Sequence, residues 1–182
     1  FLTKLPAPTV TFRPEILVIE PELTSMQENP HIRRASPDEA AVLTELTIRS
    51  KSHWNYNAAF LASVRHELEF HPEKFLPDFH VYVLEQNETI LGFCSLIPLP
   101  DDKMELHDLF VEPAHIGKGH GKRLWDFSIA LLRTLGTRTL VLTADPHAET
   151  FYLRQGAVRV GEKSSSVYPD RKLPILEYRL AD

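Results

Sequence analysis

The chain has 182 residues, a formal net charge of −5, and 43% hydrophobic against 25% charged residues. That length buries one good core and is short for two domains; the acidic balance argues against a broad nucleic-acid surface, and the single Cys94 excludes an internal disulfide and fits a reducing compartment, the cytoplasm. No apolar run approaches the roughly 18 residues of a membrane span, and the N-terminus lacks the basic start and apolar core of a secretory signal.

Residues 1–29 read as a proline-rich arm or leader ahead of one domain over 30–182; five of the fourteen prolines fall in the first thirty residues, at 6, 8, 14, 21 and 30. They punctuate the short apolar stretches Val10–Phe12 and Ile16–Ile19. From residue 31 the pattern becomes regular. Ile32–Ala35 reads as a short strand. Ser36, Pro37 and Glu39 then stand at the N-cap, N1 and N3 positions of a helix carrying Ala40, Leu43, Leu46 and Thr47 at helical spacing. A polar and aromatic break over Arg49–Tyr56 precedes a second helix, roughly 57–69, with Phe60, Leu61, Val64 and Leu68. Strands follow at Phe79–Leu84, Thr89–Ile97 and Met104–Val111, separated by turn-like polar residues. Gly121–Leu135 predicts a helix with Leu124, Trp125, Ile129, Leu131, Leu132 and Leu135 on its buried side, stopped by Gly136. A strand at Thr139–Thr143, a short helix at Ala148–Gln155 and a final strand pair at Val158–Val160 and Leu173–Leu180 complete it. The order β-α-α-β-β-β-α-β-α-β-β predicts a mixed α/β domain.

The stretch EPAHIGKGHGKRL, from Glu112 to Leu124, holds three of the seven glycines. It lies between a strand ending at Val111 and a helix, where unpaired amides and the positive dipole end favour an anion. Glycines at 117, 119 and 121 remove Cβ atoms from its path, and Lys118, Lys122 and Arg123 add charge. A phosphate or pyrophosphate is the expected guest, although a plain turn with solvated lysines has the same composition. The loop is not GxxxxGK[ST], and its glycines follow the fourth strand rather than the first, so nucleoside triphosphates and dinucleotides are disfavoured.

The segment ELHDLFVEPAHIGKGHGKRL, Glu105 to Leu124, resembles the central motif of the GNAT acetyltransferase superfamily: an apolar strand ending in Val-x-Pro, then [Q/R]-x-x-G-x-[G/A]. A second segment, AETFYLRQGA from Ala148 to Ala157, resembles the family's A-x-x-F-Y-x-x-x-G-[F/A]. The element order from 31 to 180 is also similar. The resemblance implies the GNAT fold, a mostly antiparallel mixed sheet flanked by helices, and acetyl-CoA as co-substrate, with no metal. It implies that the pyrophosphate lies on Gly117, Lys118, Gly119, His120, Gly121 and Lys122. The backbone of Leu109, Phe110 and Val111 then holds the pantetheine arm. The family's Gln or Arg falls at Ile116, which removes one side-chain contact to the phosphates. Asn is frequent in the family where this chain has Asp145, beside the cofactor channel.

Acetyl transfer to an amine requires a positioned thioester, a neutral amine, donors for the acyl oxygen and a proton for the leaving thiolate. Strict alternation puts Glu105, His107, Leu109 and Val111 on one strand face and Leu106, Asp108 and Phe110 on the other. His107, ordinarily titrating near ~6.5, is a candidate base. Glu105 is a second, or a residue that holds an ammonium; the resemblance implies catalytic or water-relaying groups at both positions. Asp108 reads as structural. By the same resemblance Tyr152 reaches the cofactor sulfur as general acid. The acceptor is expected between the helix 1–helix 2 segment and the last loop, with Trp54 and Tyr56 as an aromatic wall and Arg171 for a carboxylate. The expected activity is N-acetylation of a primary amine by direct attack in a ternary complex, with the balance leaning to a small molecule. A protein or peptide acceptor, or a non-catalytic acyl-CoA-binding module, are the alternatives. A homodimer stays open; no nucleic-acid or membrane partner is expected.

Overall fold

The computed structural model describes residues 29–181. The proline-rich arm expected over 1–29 therefore lies, Asn29 apart, outside the described residues. The chain runs β1 (His31–Arg34), α1 (Ala40–Ser52), α2 (Ala58–Leu68), β2 (His80–Gln86), β3 (Thr89–Leu99), β4 (Lys103–Val111), α3 (His120–Leu135), β5 (Thr139–Thr143), α4 (Glu149–Arg154), β6 (Val158–Ser164) and β7 (Lys172–Arg179). This is the order read from the sequence. The local signals act as expected. The Glu39 carboxylate accepts from the Ser36 amide at 2.8 Å ahead of α1, the Asn57 side chain accepts from the Phe60 amide at 2.8 Å to cap α2, and Gly136 stops α3 at φ +74°.

Seven strands form one sheet in the order β1-β2-β3-β4-β5-β7-β6. Every pair is antiparallel except β4–β5, which is parallel. On one face, Leu124, Trp125, Ile129 and Leu132 of α3 meet Leu96, Leu106, Leu140 and Leu176 of the sheet. On the other, Leu43 and Leu46 of α1 meet Val81, Val83 and Phe93. Each such fully buried side chain contributes about 1.5–3 kcal/mol, and the two layers clamp the sheet from both sides. Cys94 lies in the first cluster, where burial pushes its thiol up to about 12.

Most boundaries shift by one or two residues from the sequence reading, and three of the differences bear on packing. α1 continues through Ser52, past the break expected at Arg49, because buried Ser50 prolongs the stripe of Leu43, Leu46 and Thr47. α3 begins at His120 rather than Gly121, and its Leu135, expected to be buried, is 40% exposed because the helix has passed the sheet. β6 extends to Ser164 as an exposed edge strand. No helix among the described residues is long and apolar enough to cross a membrane.

Candidate active site

The site originates in a flaw in the sheet. β4 and β5 pair only from Lys103 to Glu105 against Thr139 to Val141; beyond that, Leu106–Val111 have no β5 partner. On its other side β4 bulges. Leu96 pairs with Leu106 and Ser95 with Asp108, so His107 is the extra residue. A bulge sharpens local twist, and the two parallel strands diverge just past it. The gap is a cavity of about 520 Å³ running from the glycine loop to the end of α1.

The bulge corrects the expected strand faces. Leu106, Leu109 and Val111 all pack into the α3 cluster, while Phe110 joins the α1 cluster. Alternation is thus reset at His107, and Glu105 does not share a face with Leu109 and Val111. His107 lines the cavity together with Leu109, Phe110 and Val111, whereas Glu105 is not among its lining residues. The two side chains still meet, with His107 Nδ1 3.6 Å from Glu105 Oε1. That carboxylate raises the His107 pKa above its ordinary value, and the imidazole in turn lowers that of Glu105. Asp108 is structural, as the sequence suggests: Ser95 Oγ donates to it at 2.6 Å and Lys74 lies at 3.8 Å.

At the other end, a 3-10 turn over Pro113–His115 leads into the glycines. Gly117 and Gly119 adopt φ +81° and +86°, the left-handed region that favours glycine, and a Cβ on either would meet nothing within 4 Å. The amides of Gly117, Gly119, His120, Gly121 and Lys122 have no hydrogen-bond partner among the described residues, and Gly119 caps α3 without a side chain. This is an open cradle of donors at a helix N-terminus. Lys118 and Arg123 are exposed beside it, and Lys122 is shared with Asp126 at 2.6 Å. Burial and the neighbouring His115, Lys118 and Arg123 lower the His120 pKa. Ile116 packs against the α3 core cluster and lines the cavity, an apolar wall where a polar contact would otherwise stand.

Tyr152, on α4, lines the middle of the cavity with its ring 5.6 Å from that of Trp125. Burial, aided by Asp108 and Asp145, pushes its phenol up. It stays protonated through neutral pH, and its hydroxyl has no hydrogen-bond partner among the described residues.

The end of the cavity where the acceptor is expected is built differently from that expectation. Asp145 Oδ1 accepts from Tyr56 OH at 2.8 Å and from the His147 amide at 3.0 Å. Its Oδ2 takes Lys51 Nζ, and Arg171 Nη2 at 3.0 Å. Burial pushes the Asp145 carboxyl up, but Lys51, the amide and Tyr56 outweigh it and hold it below the ordinary carboxylate value. Burial and the bond to Asp145 push Tyr56 up to about 12. Arg171, expected to meet a substrate carboxylate, thus meets one from its own chain, and Tyr56 braces that pair instead of lining the cavity. Trp54 does line it, stacked on His147 at 5.6 Å and 6°. The sequence places Lys51 in the polar segment expected at the acceptor but assigns it no role, and it carries no signal for His147; the helical stripe running on to Ser50 is the signal that turns Lys51 inward.

A family model described as the acetyltransferase (GNAT) family matches residues 45–157, more than half of the chain. No curated protein sequence matches it. Among solved structures, a GCN5-related N-acetyltransferase from Rhodopseudomonas palustris superposes with a TM-score of 0.72 at 19% identity, over 85% of this chain and 98% of that one. An aminoglycoside 6'-N-acetyltransferase complexed with coenzyme A gives 0.65 at 19%, over 84% and 98%. The ribosomal-protein-S18-alanine N-acetyltransferase from Escherichia coli gives 0.65 at 15%, over 85% and 96%. At these identities the likeness is one of fold.

Proposed function

We propose a function from one premise: the chain belongs to the acetyltransferase (GNAT) family and is an N-acetyltransferase. On that premise it moves an acetyl group from acetyl-CoA to a primary amine of a small molecule, by direct attack in a ternary complex. One observation carries the reading. The cavity opened by the divergence of β4 and β5 joins a cradle of unpaired amides to a histidine–carboxylate pair and a buried tyrosine.

The residues fit the co-substrate. The cradle suits a pyrophosphate, and about 520 Å³ lies in the range of small-ligand sites. Gly117–Lys122 would hold the phosphates, and the unpaired edge of β4 at Leu109, Phe110 and Val111 the pantetheine arm. Acetyl-CoA supplies the acyl group as a thioester, whose carbonyl carbon takes the amine nitrogen and whose sulfur leaves. His107 receives the proton that the amine sheds. Glu105, outside the cavity, orients the imidazole and stabilises its charged form. Tyr152 returns a proton to the departing thiolate, a role its raised pKa permits at neutral pH. Direct transfer is favoured because the single cysteine, Cys94, is buried in the core and does not line the cavity. The Trp54–His147 stack walls the acceptor end and supports a small amine over a protein segment.

Calorimetry with acetyl-CoA tests the reading. The wild type should bind, and Gly119→Glu, which sets bulk and negative charge in the cradle, should not. Equal affinity in a folded Gly119→Glu variant removes the assignment. A panel of amines followed by thiol release then identifies the acceptor.

A further inference from the structure

The Asp145 cluster says something about the acceptor itself. Four donors converge on one carboxylate: Lys51 Nζ, Arg171 Nη2, Tyr56 OH and the His147 amide. A carboxylate offers about four lone-pair sites, so Asp145 is saturated. It has nothing left with which to receive an incoming ammonium. The unspent capacity belongs to the cations. Among the described residues, Lys51 uses one of an ammonium's roughly three donors, on Asp145, and Arg171 uses only Nη2 of a guanidinium with about five, on Asp145 and Tyr56. Two positive charges face one negative charge, leaving an excess of one. Nearby, Lys74 lies 3.8 Å from Asp108, and Glu105 faces His107 from outside the cavity. Lys51 lines the cavity beside Trp54 and His147, and its side chain is only 15% exposed, so its surplus donors are shielded from bulk water.

From this we infer that the acceptor carries a carboxylate near its amine, and that Lys51, backed by Arg171, reads it. The inference rests on the acetyltransferase reading and adds the class of substrate to it. The carboxylate completes the cluster at two charges of each sign, with charge-assisted hydrogen bonds. The same surplus repels polycationic amines, so the site discriminates by repulsion as well as attraction. Asp145 sets the arrangement by holding Lys51 and Arg171 in place.

Matched pairs of amino acids and their decarboxylated amines test this: lysine with cadaverine, arginine with agmatine, tryptophan with tryptamine. Each is titrated into the CoA-saturated protein and assayed with acetyl-CoA. The carboxylate-bearing member of at least one pair should bind tighter and show a kcat/KM about 10- to 100-fold higher, the span of a hydrogen bond to a charged group. In Lys51→Met that ratio should fall toward one, and in Arg171→Gln it should fall in part. Because the ratio is compared between proteins, the differing amine basicities cancel. Equal affinities, a preference for the decarboxylated amines, no binding of any member, or an unchanged ratio in both variants overturns the inference. Acetyl-CoA binding, measured separately, then shows whether the acetyltransferase reading still stands.

Discussion

The substitution Asp145→Asn keeps the shape of the side chain and removes its charge, leaving Lys51 and Arg171 facing each other. At the 3.0 Å separation of Arg171 from Asp145, Coulomb attraction at an effective dielectric of about 20 has an upper bound of ~5 kcal/mol. Screening lowers it, since the three side chains are 14–21% exposed. The asparagine amide also still bonds Tyr56 and the His147 amide. Removing one partner of a buried pair typically costs about 3–5 kcal/mol, and we expect about 2–4 kcal/mol here after that discount. For a domain of this size each kcal/mol moves Tm by about 2–4 °C. Urea unfolding at pH 7 should give a lower midpoint with an unchanged m-value. Arg171→Gln should cost less in the Asp145→Asn background than in the wild type, because its counter-charge is already gone. The pH dependence has a definite sign. The Asp145 pKa is held below its ordinary 3.8, so its contribution is present above 3.8 and disappears as pH falls through the lower folded value. Wild type and variant should therefore converge in strong acid. A loss under about 0.5 kcal/mol at pH 7, or equal costs of Arg171→Gln in both backgrounds, would refute the reasoning.

Tyr152→Phe keeps the ring and deletes the hydroxyl; turnover should fall by about 10²–10⁴ with acetyl-CoA affinity nearly unchanged, and wild-type turnover would show the hydroxyl to be idle. Glu105→Gln removes the carboxylate that raises the His107 pKa, so the rising limb of kcat/KM against pH should move to lower pH; a limb unmoved in Glu105→Gln and still present in His107→Gln places the base elsewhere. The stabilising effect of that pair has its own window. The raised His107 pKa makes it fade as pH climbs past the folded imidazole value, and the lowered Glu105 pKa makes it fade as pH drops below 4.5. Thermal melts of wild type and Glu105→Gln should differ most near about pH 6. Gly92→Ala should destabilise by about 1–3 kcal/mol, because its Cβ would lie 2.7 Å from the Phe110 carbonyl oxygen across the β3–β4 pair; denaturation midpoints measure this, and an unchanged midpoint would mean that the strands can separate freely.

What was legible in the sequence was what neighbouring residues decide among themselves. The helix stripes, the capping at Ser36 and Glu39, the stop at Gly136 and the glycine loop between a strand and a helix each depend on a few consecutive positions. Their order carried the fold, because these elements bury their apolar faces in few ways. The motif AETFYLRQGA likewise set Tyr152 beside the cavity, since a short helix leaving β5 carries its own side chains with it. What the tertiary structure decided came from pairing across the chain. Period-2 alternation predicted one face for Glu105, His107 and Leu109, but the register against β3 inserts His107 as a bulge and turns Glu105 away. The gap beside it exists only because β4 and β5 part after three residues. The end of the cavity at Asp145 joins that residue to Lys51, Tyr56 and Arg171, which stand 94, 89 and 26 residues from it along the chain. The sequence marks Asp145 only as a carboxylate beside the expected cofactor channel and says nothing of its partners. Folding brings two cations to it, and their electrostatic demand makes that residue and its charge matter.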